Sequence, residues 1–142
     1  MTIQGYEYFD EGNESLRDPD TYLGASPLVM VKQFMRIMGQ SLGHEYVKNS
    51  KLDLLRLCLL KEEVNEASAP ENAENLLKEL ADVIYVTYGY AAAFGWDLDE
   101  ALRRVHASNM SKLGDDGQPI YRDDGKVKKG PNYQKPDLSD LV

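Results

Sequence analysis

Two acidic stretches indicate the fold of this chain most clearly: Leu60-Lys-Glu-Glu-Val-Asn-Glu66 and Lys78-Glu-Leu-Ala-Asp-Val-Ile-Tyr85. In each stretch carboxylates recur three residues apart, among apolar residues spaced by three and four, which is the pattern of an amphipathic helix. At about 100° per residue, the face of Glu66 is shared by the apolar residues Leu52, Leu55 and Leu59. The face of Glu79 is likewise shared by Leu76, Val83, Val86 and Tyr90. The apolar stripes of two successive helices therefore run into carboxylates.

Five acids point to one seam between these two helices, and they are Glu62, Glu63, Glu66, Glu79 and Asp82. Burying unpaired charge is costly, so carboxylates crowded into a seam require a compensating cation. Carboxylate oxygens are hard ligands that select Mg²⁺, Mn²⁺ or Ca²⁺. Because Mg²⁺ usually takes only one or two protein carboxylates per ion, the pattern predicts a magnesium site of about two or three ions, with Mn²⁺ as the substitute.

The alternative interpretation of these acids is structural. Glutamate is a good helix former, and most helical glutamates lie on solvated faces. Ion pairs to Lys61 or Lys78 would also account for the acids, but on the helical wheel both lysines point away from the acidic faces. Because the same anomaly occurs on two successive helices, the pattern favours a metal site.

Helix boundary signals divide the chain into one helical domain with two irregular ends. Ser26-Pro27 supplies an N-cap with proline at the first helical position, and Gly95 supplies a C-cap. The predicted helices span about 26–42, 50–68, 71–94 and 97–113. We therefore expect a single all-α domain over 1–142, in which a four-helix bundle core (26–113) lies between an irregular N-terminal arm (1–25) and an extended C-terminal tail (114–142).

The fourth helix and the tail offer polar side chains that could face a ligand. With Val105 on the inner face, Asn109 and Lys112 share that face. Lys112 could meet anionic oxygens or pair with the carboxylates, and Asn109 could bind a ligand or only cap backbone groups. In the tail, a short hairpin around the turn at Asp124-Gly125 is expected. It carries further candidates for anion binding, for which a solubilising role is the alternative: Arg122, Lys126, Lys128 and Lys129.

Composition and charge exclude several classes of protein. The chain is 42% hydrophobic and 28% charged, as expected of a globular domain, and its net charge of −8 disfavours binding to nucleic acid. The single cysteine, Cys58, excludes an internal disulfide and lies beside the apolar stripe, where we expect it in the core. His44 and His106 lack zinc-ligand spacing, and no glycine-rich phosphate loop occurs. No apolar run approaches the ~20 residues of a membrane span, and no signal peptide is recognisable, so a cytoplasmic location is expected.

The two acidic stretches resemble the paired Glu-x-x-Glu and Glu-x-x-Asp metal motifs of the MazG-like all-α nucleoside triphosphate pyrophosphohydrolases, a family that also includes the dimeric dUTPases. The segment Val105-His-Ala-Ser-Asn-Met-Ser-Lys112 resembles the Asn-x-x-Lys element that follows those motifs. The tail Asp124-Gly-Lys-Val-Lys-Lys-Gly-Pro-Asn-Tyr133 and Lys135-Pro-Asp-Leu138 resembles that of phage and bacterial members. Size and motifs are also similar to those of the phage MazZ enzymes, which act on dGTP.

The resemblance implies a metal-dependent hydrolysis of a (deoxy)nucleoside triphosphate to the monophosphate and pyrophosphate. By resemblance the metal ligands would be Glu63, Glu66, Glu79 and Asp82, whereas Glu62 or Glu63 would activate the attacking water. Asn109 and Lys112 would face the nucleotide, with Lys126 and Lys128 of the tail as further substrate-binding candidates. The resemblance also implies a homodimer or a homotetramer, which the long apolar stripes of the four helices favour independently.

Two other functions stay open at this point. Phosphoribosyl-ATP pyrophosphohydrolases share the same helical metal scaffold, and a non-catalytic nucleotide-binding regulator could use it as well. The tail is too polar to fold alone but carries the apolar anchors Ile120, Tyr121, Val127 and Tyr133. We expect it to pack over the nucleotide pocket of its own or a neighbouring subunit, and a surface strap along the bundle is the alternative.

Overall fold

The computed structural model describes residues 18–142, and the first 17 residues of the expected N-terminal arm lie outside this range. Within this range the chain forms four α-helices, which we number α1 (Pro27–Ile37), α2 (Lys51–Ala67), α3 (Ala73–Ala93) and α4 (Leu98–Met110). Short 3-10 helices at Pro19–Tyr22 and Ser139–Leu141 lie at the two ends. The all-α prediction is confirmed. Among the described residues, no helix is long and apolar enough to cross a bilayer.

Helices α1, α2 and α4 begin at the predicted capping positions, and α3 begins at Ala73, close to its expected start near residue 71. Ser26 Oγ accepts a hydrogen bond from the Val29 amide, and Ser50 Oγ accepts one from the Asp53 amide. The side chains of Asn72 and Asp97 cap α3 and α4 in the same way. These side chains satisfy amide groups that have no partner inside the helix, which fixes the four starting points.

The end of α1 differs from the prediction. The apolar spacing predicted a helix that continues to about Leu42, but α1 ends at Ile37. Gly39 has a φ of 67°, which is the left-handed conformation that closes many helices, and the Gln40 amide donates to the Met35 carbonyl (2.7 Å). The chain then turns, and the amides of Gly43 and His44 donate to the carbonyls of Ala92 and Ala93 at the end of α3.

Helix α3 is the centre of the bundle. It packs along α2 and along α1, while α4 touches α1 and α3 over a smaller area. The buried apolar core lies where the second half of α3 meets α1, and it consists of Leu28, Val31, Met35, Tyr88, Ala92, Ala93 and Phe94. Small residues near the end of α3 allow close helix approach, since a Cβ on Gly89 would stand 3.2 Å from Nη1 of Arg56 on α2.

Helix α2 buries polar side chains where leucines were expected. Its buried residues are Asp53 and Arg56, whereas Leu55 is 52% exposed and Cys58 is exposed. The prediction that Cys58 belongs to the core is therefore wrong, as is the prediction that Leu55 is buried within the chain. The buried Asp53 has two hydrogen-bond partners, because it accepts hydrogen bonds from the Tyr90 hydroxyl and from the Asn49 amide (2.7 Å).

The tail runs back along α4. The Gly130 amide donates to the Lys112 carbonyl (2.9 Å), and Ser108 Oγ donates to the Gln134 carbonyl (2.7 Å). Near its end, Arg104 donates to the Asp137 carbonyl and pairs with Asp140. The hairpin segments do pair, but only through one antiparallel bridge, between Tyr121 and Val127.

Candidate metal centre

Three carboxylates from two helices meet in the seam between α2 and α3. They belong to Glu63, Glu79 and Asp82, and one oxygen from each lies within 4.8 Å of the others. The connection over 68–72 is short, so α3 runs back along α2 and the last turns of α2 face the first turns of α3. Because both acidic stretches lie close to that connection, their inward faces meet each other.

Glu79 is the buried member of the group, with 5% of its surface exposed, whereas Glu63 and Asp82 are half-buried. Asn75, one turn earlier on α3, donates from Nδ2 to Glu79 Oε1 (2.8 Å). The backbone amide of Glu71 in turn donates to Asn75 Oδ1 (3.0 Å), which fixes the orientation of the amide group. The buried carboxylate is therefore held by the N-terminal turn of its own helix.

Glu63 meets these acids from α2 without a stabilising donor, since no hydrogen bond or ion pair to its carboxylate is formed within residues 18–142. Burial is the main cause that raises its pKa, and the negative charges of Glu66 and Asp82 raise it further. Lys78 opposes this shift. An added cation would favour the ionised form of Glu63, because it would offset the repulsion from the neighbouring carboxylates.

Lys78 corrects one expectation from the helical wheel, on which it points away from the acidic face. Its Nζ lies 2.9 Å from Asp82 Oδ2 and 3.2 Å from each oxygen of Glu79. The long, flexible side chain bends back over the neighbouring turns, which a wheel of Cα positions does not represent. Hydrogen bonds to Asp82 and Glu79 raise the pKa of Lys78, so its ammonium group stays charged.

Two of the five predicted acids lie outside the group of three. Glu62 and Glu66 are both exposed on α2. Glu66 is nevertheless near enough for its charge to raise the pKa of Glu63. The seam predicted from the sequence is thus a compact centre of three carboxylates, with Glu66 at its edge.

The predicted substrate-binding residues lie on α4 and in the tail. The prediction that Asn109 faces the interior is wrong for the single chain. The buried residue of α4 is Ser108, whereas Asn109 and Leu102 are exposed. Lys112 Nζ donates to Asn109 Oδ1 (2.8 Å), so the two residues do lie together. In the part of the chain that the structure describes, neither they nor Lys126 and Lys128 form a hydrogen bond or ion pair with the three carboxylates.

Two residues of this centre were not predicted as part of it. Asn75 lies four residues before Glu79, on the same helical face, and this spacing was the available signal. The second is Lys78, for which the spacing of four to Asp82 was the equivalent signal.

A cavity of about 360 Å³ lies elsewhere, between α1 and the start of α4. Its lining carries both signs of charge, from Lys32, Arg36, Arg103, Asp97, Asp99 and Glu100. None of the three clustered carboxylates lines it. The three clustered carboxylates thus lie on the seam between α2 and α3 and not in this cavity.

The donor set of the centre fits a divalent ion. Three carboxylates face one ammonium group, which leaves an excess of negative charge, and all the free ligand atoms are hard oxygens. An arrangement of this kind provides protein oxygens for one or two ions and leaves the remaining positions open to water and phosphate.

Comparison with known proteins agrees with this geometry. The family model described as phosphoribosyl-ATP pyrophosphohydrolase matches residues 31–109, which is more than half of the chain and includes all three clustered carboxylates. None of the curated proteins matches the chain. The matched range ends at Asn109, so it contains neither Lys112 nor the tail. The chain belongs to the phosphoribosyl-ATP pyrophosphohydrolase family, and thereby to the nucleotide pyrophosphohydrolases of the MazG-like all-α superfamily.

Proposed function

We propose that this protein is an Mg²⁺-dependent enzyme that hydrolyses a (deoxy)nucleoside triphosphate to the monophosphate and pyrophosphate. The observation that carries the proposal is the convergence of Glu63, Glu79 and Asp82, within 4.8 Å of one another, inside the segment that matches the family. A triphosphate and a carboxylate cluster are both negatively charged, so they can approach each other only through bridging cations. A divalent metal supplies that bridge.

The roles of the residues follow from their burial. Glu79, which is buried and held by Asn75, is the fixed ligand, while the half-buried Asp82 and Glu63 complete the group. Glu66, exposed one turn beyond Glu63, is an outer ligand. When bound, the ions neutralise the phosphate oxygens and lower the pKa of a coordinated water.

A carboxylate at the solvent side of the centre orients the attacking water or takes its proton. Glu62 and Glu63 are the candidates, and they differ in environment: Glu62 is exposed, whereas Glu63 is half-buried and has a raised pKa. A higher pKa makes a carboxylate the stronger base, which favours Glu63 over Glu62 in this role. Attack at the α-phosphorus then releases pyrophosphate.

Basic and amide side chains outside the centre bind the nucleotide. Asn109 and Lys112 are one candidate pair, already joined by a hydrogen bond and both accessible for reorientation. Lys126 and Lys128 of the hairpin are exposed and carry no side-chain ion pair within residues 18–142. The tail is fastened to α4, and within residues 18–142 no hydrogen bond or ion pair joins it to the three carboxylates, so we propose that these lysines serve a neighbouring subunit.

A second candidate substrate is phosphoribosyl-ATP, which the description of the matching family names. Both substrates present a triphosphate to the same carboxylates, so the centre accepts either. A third candidate, a nucleotide-binding regulator without activity, would bind the nucleotide through the same groups but release no product.

A panel of substrates separates these three candidates. Pyrophosphate release is measured for the common ribo- and deoxyribonucleoside triphosphates and for phosphoribosyl-ATP, with Mg²⁺, with Mn²⁺ and with EDTA. We expect metal-dependent release from at least one nucleoside triphosphate. Turnover of phosphoribosyl-ATP alone would establish the second candidate, and binding of a nucleotide without any release would establish the third.

Glu79→Gln is the decisive variant in that panel, since it keeps the shape of the buried side chain but removes its charge. We expect the kcat to fall at least about 100-fold, because a fixed metal ligand is lost. Glu74→Gln is the matched control: it lies on the same helix, is exposed and lies outside the group of three. Equal activity in the two variants would contradict the proposal.

A further inference from the structure

Lys78 occupies the position that a metal ion is expected to take. Its ammonium group donates to both oxygens of Glu79 and to Oδ2 of Asp82, at 2.9–3.2 Å. It is the one basic side chain in residues 18–142 that forms an ion pair with a member of the carboxylate group. The lysine thus neutralises part of the negative charge from inside the centre.

The lysine and a metal compete for the same oxygens. An ammonium group has three N–H donors, and three acceptor oxygens of the centre lie within reach of them. A divalent ion bound by Glu79 and Asp82 would lie within a few ångströms of Nζ, and two positive charges at that distance repel each other. Occupation by the metal therefore requires that the ammonium group moves away.

The side chain of Lys78 is able to leave. It is 60% exposed, and in the described chain its ammonium group has no partner other than Glu79 and Asp82. Four rotatable bonds connect the ammonium group to the backbone, so it can turn into solvent without movement of α3. In contrast, Glu79 is held in place by Asn75 and stays behind as a preformed ligand.

We propose that Lys78 is a displaceable counter-cation of the metal centre. It holds Glu79 and Asp82 together while no metal is bound, and it weakens the affinity for metal because the ion has to displace it. This inference rests on the proposed function in one respect, namely that the three carboxylates hold a divalent ion.

The test is a calorimetric titration of the full chain with MgCl2, without nucleotide, for the wild type and for Lys78→Met. Methionine keeps most of the length of the side chain but removes the charge. We expect the Kd for Mg²⁺ to fall about tenfold in this variant, because the competitor is absent. The melting temperature in EDTA should fall by about 3 °C, and the difference from the wild type should disappear at saturating Mg²⁺.

Lys61→Met is the matched control. Lys61 lies on α2, two residues before Glu63, and is exposed without an ion pair in the described part of the chain. Its removal changes the net charge near the centre equally, so a general electrostatic effect would tighten metal binding in both variants. We expect the Kd of Lys61→Met to stay within about twofold of the wild type, since Lys61 is exposed and forms no ion pair with the carboxylates in the described residues, so solvent and salt screen its charge.

The possible results separate this inference from the proposed function. If the wild type binds Mg²⁺ but Lys78→Met binds no tighter than Lys61→Met, the displacement idea is wrong and the metal centre stands. If Lys78→Met alone binds tighter but no nucleotide is hydrolysed, the displacement stands and the enzymatic proposal is wrong. Absence of Mg²⁺ binding in all three proteins would overturn both. Lys78→Gln provides a second variant in case Lys78→Met does not fold.

Discussion

At the scale of single residues, Glu79 shows how the fold prepares a charged group for a ligand. Its carboxylate is almost fully buried, yet two donors approach it, from Asn75 and from Lys78. One donor is a fixed amide on the previous turn, and the other is a mobile ammonium group. The difference suggests separate tasks, since Asn75 sets the orientation of the carboxylate whereas Lys78 supplies charge.

Asn75→Ala tests the orienting role. The substitution leaves one oxygen of a buried carboxylate without its donor, which should lower the free energy of unfolding by about 1–3 kcal/mol. The affinity for Mg²⁺ should fall about tenfold, because the ligand loses its fixed orientation. Urea unfolding and calorimetry measure the two effects. Asn65→Ala on α2 is the control, since that exposed side chain forms no hydrogen bond in the described chain, and an equal loss in both variants would reject the role.

Glu63 gives a prediction for pH dependence. Its pKa is raised in the folded protein, so its protonated form is favoured there. The corresponding stability is fully present below the unfolded pKa, about 4.3, and is lost as the pH rises through the folded pKa. Glu63→Gln should therefore raise the melting temperature of the metal-free protein near neutral pH, and the difference should disappear in acid.

Thermal melts in EDTA from about pH 4 to about pH 8 measure this difference. Glu62→Gln, exposed on the same helix, is the control and should give no such pH-dependent gain. A lower melting temperature of Glu63→Gln at neutral pH would show that its carboxylate is stabilising in the folded state, contrary to the account.

At the scale of helices, the starts were easier to predict than the packed faces. Ser26, Ser50 and Asp97 act through hydrogen bonds to nearby amides, so their effect is local and the sequence is sufficient. The end of α1 was harder to predict. Gly39 has a left-handed backbone conformation that ends the helix, but glycine also adopts right-handed conformations, and apolar residues after Gly39 continue the helical spacing. The sequence was sufficient to predict that the two acidic stretches face each other, because the short connection between α2 and α3 makes these helices antiparallel neighbours.

In contrast to the helix starts, the buried faces of α2 and α4 could not be predicted from the local sequence. Periodicity identifies an apolar face but not the element that covers it, and on α2 the single chain buries Asp53 and Arg56 instead of Leu55. These two polar residues are accommodated by Tyr90 and by Gln40, which lie on distant parts of the chain. The tail covers the face of α4 on which Ser108 lies. Such long-range partners are not visible in local spacing.

The tail gives a prediction at this scale. Gly130 lies against α4 so closely that an added Cβ would meet the carbonyl oxygens of Lys112 and Leu113 at 2.7 and 2.5 Å. Gly130→Ala should therefore detach the tail and speed tryptic cleavage after Lys126 and Lys128 by at least about tenfold, because local release exposes the backbone. Pro131→Ala, at an exposed neighbouring position, is the control. Unchanged cleavage in Gly130→Ala would mean that the tail is not held by this contact.

At the scale of the whole molecule, the single chain leaves a large apolar surface uncovered. On α3 the exposed residues follow a helical stripe, Leu77 (70%), Leu80 (50%) and Ile84 (54%), and α2 also exposes Leu54, Leu55 and Val64. Large apolar side chains exposed along one stripe of a helix are typical of a protein interface. The surface therefore supports the expected homodimer or homotetramer, in which a neighbour would cover the stripe.

Leu80→Asp tests the interface. Placing a charge in the middle of the stripe should dissociate the assembly at micromolar concentration, because a buried unpaired carboxylate is costly. Light scattering should then change from a multiple of 16.0 kDa to the mass of one chain. Leu102→Asp, on the exposed side of α4, is the control and should keep the wild-type mass. A wild-type protein that scatters as a single chain would contradict the expected assembly.

In the proposed reaction the carboxylate centre directs water to the α-phosphorus of a nucleoside triphosphate. The most direct test is hydrolysis in water labelled with heavy oxygen, with Mg²⁺ present, followed by mass analysis of both products. We expect a nucleoside monophosphate that carries the label, unlabelled pyrophosphate, and no reaction in EDTA or with Glu79→Gln. Label in the pyrophosphate, or release of a diphosphate and inorganic phosphate, would contradict it.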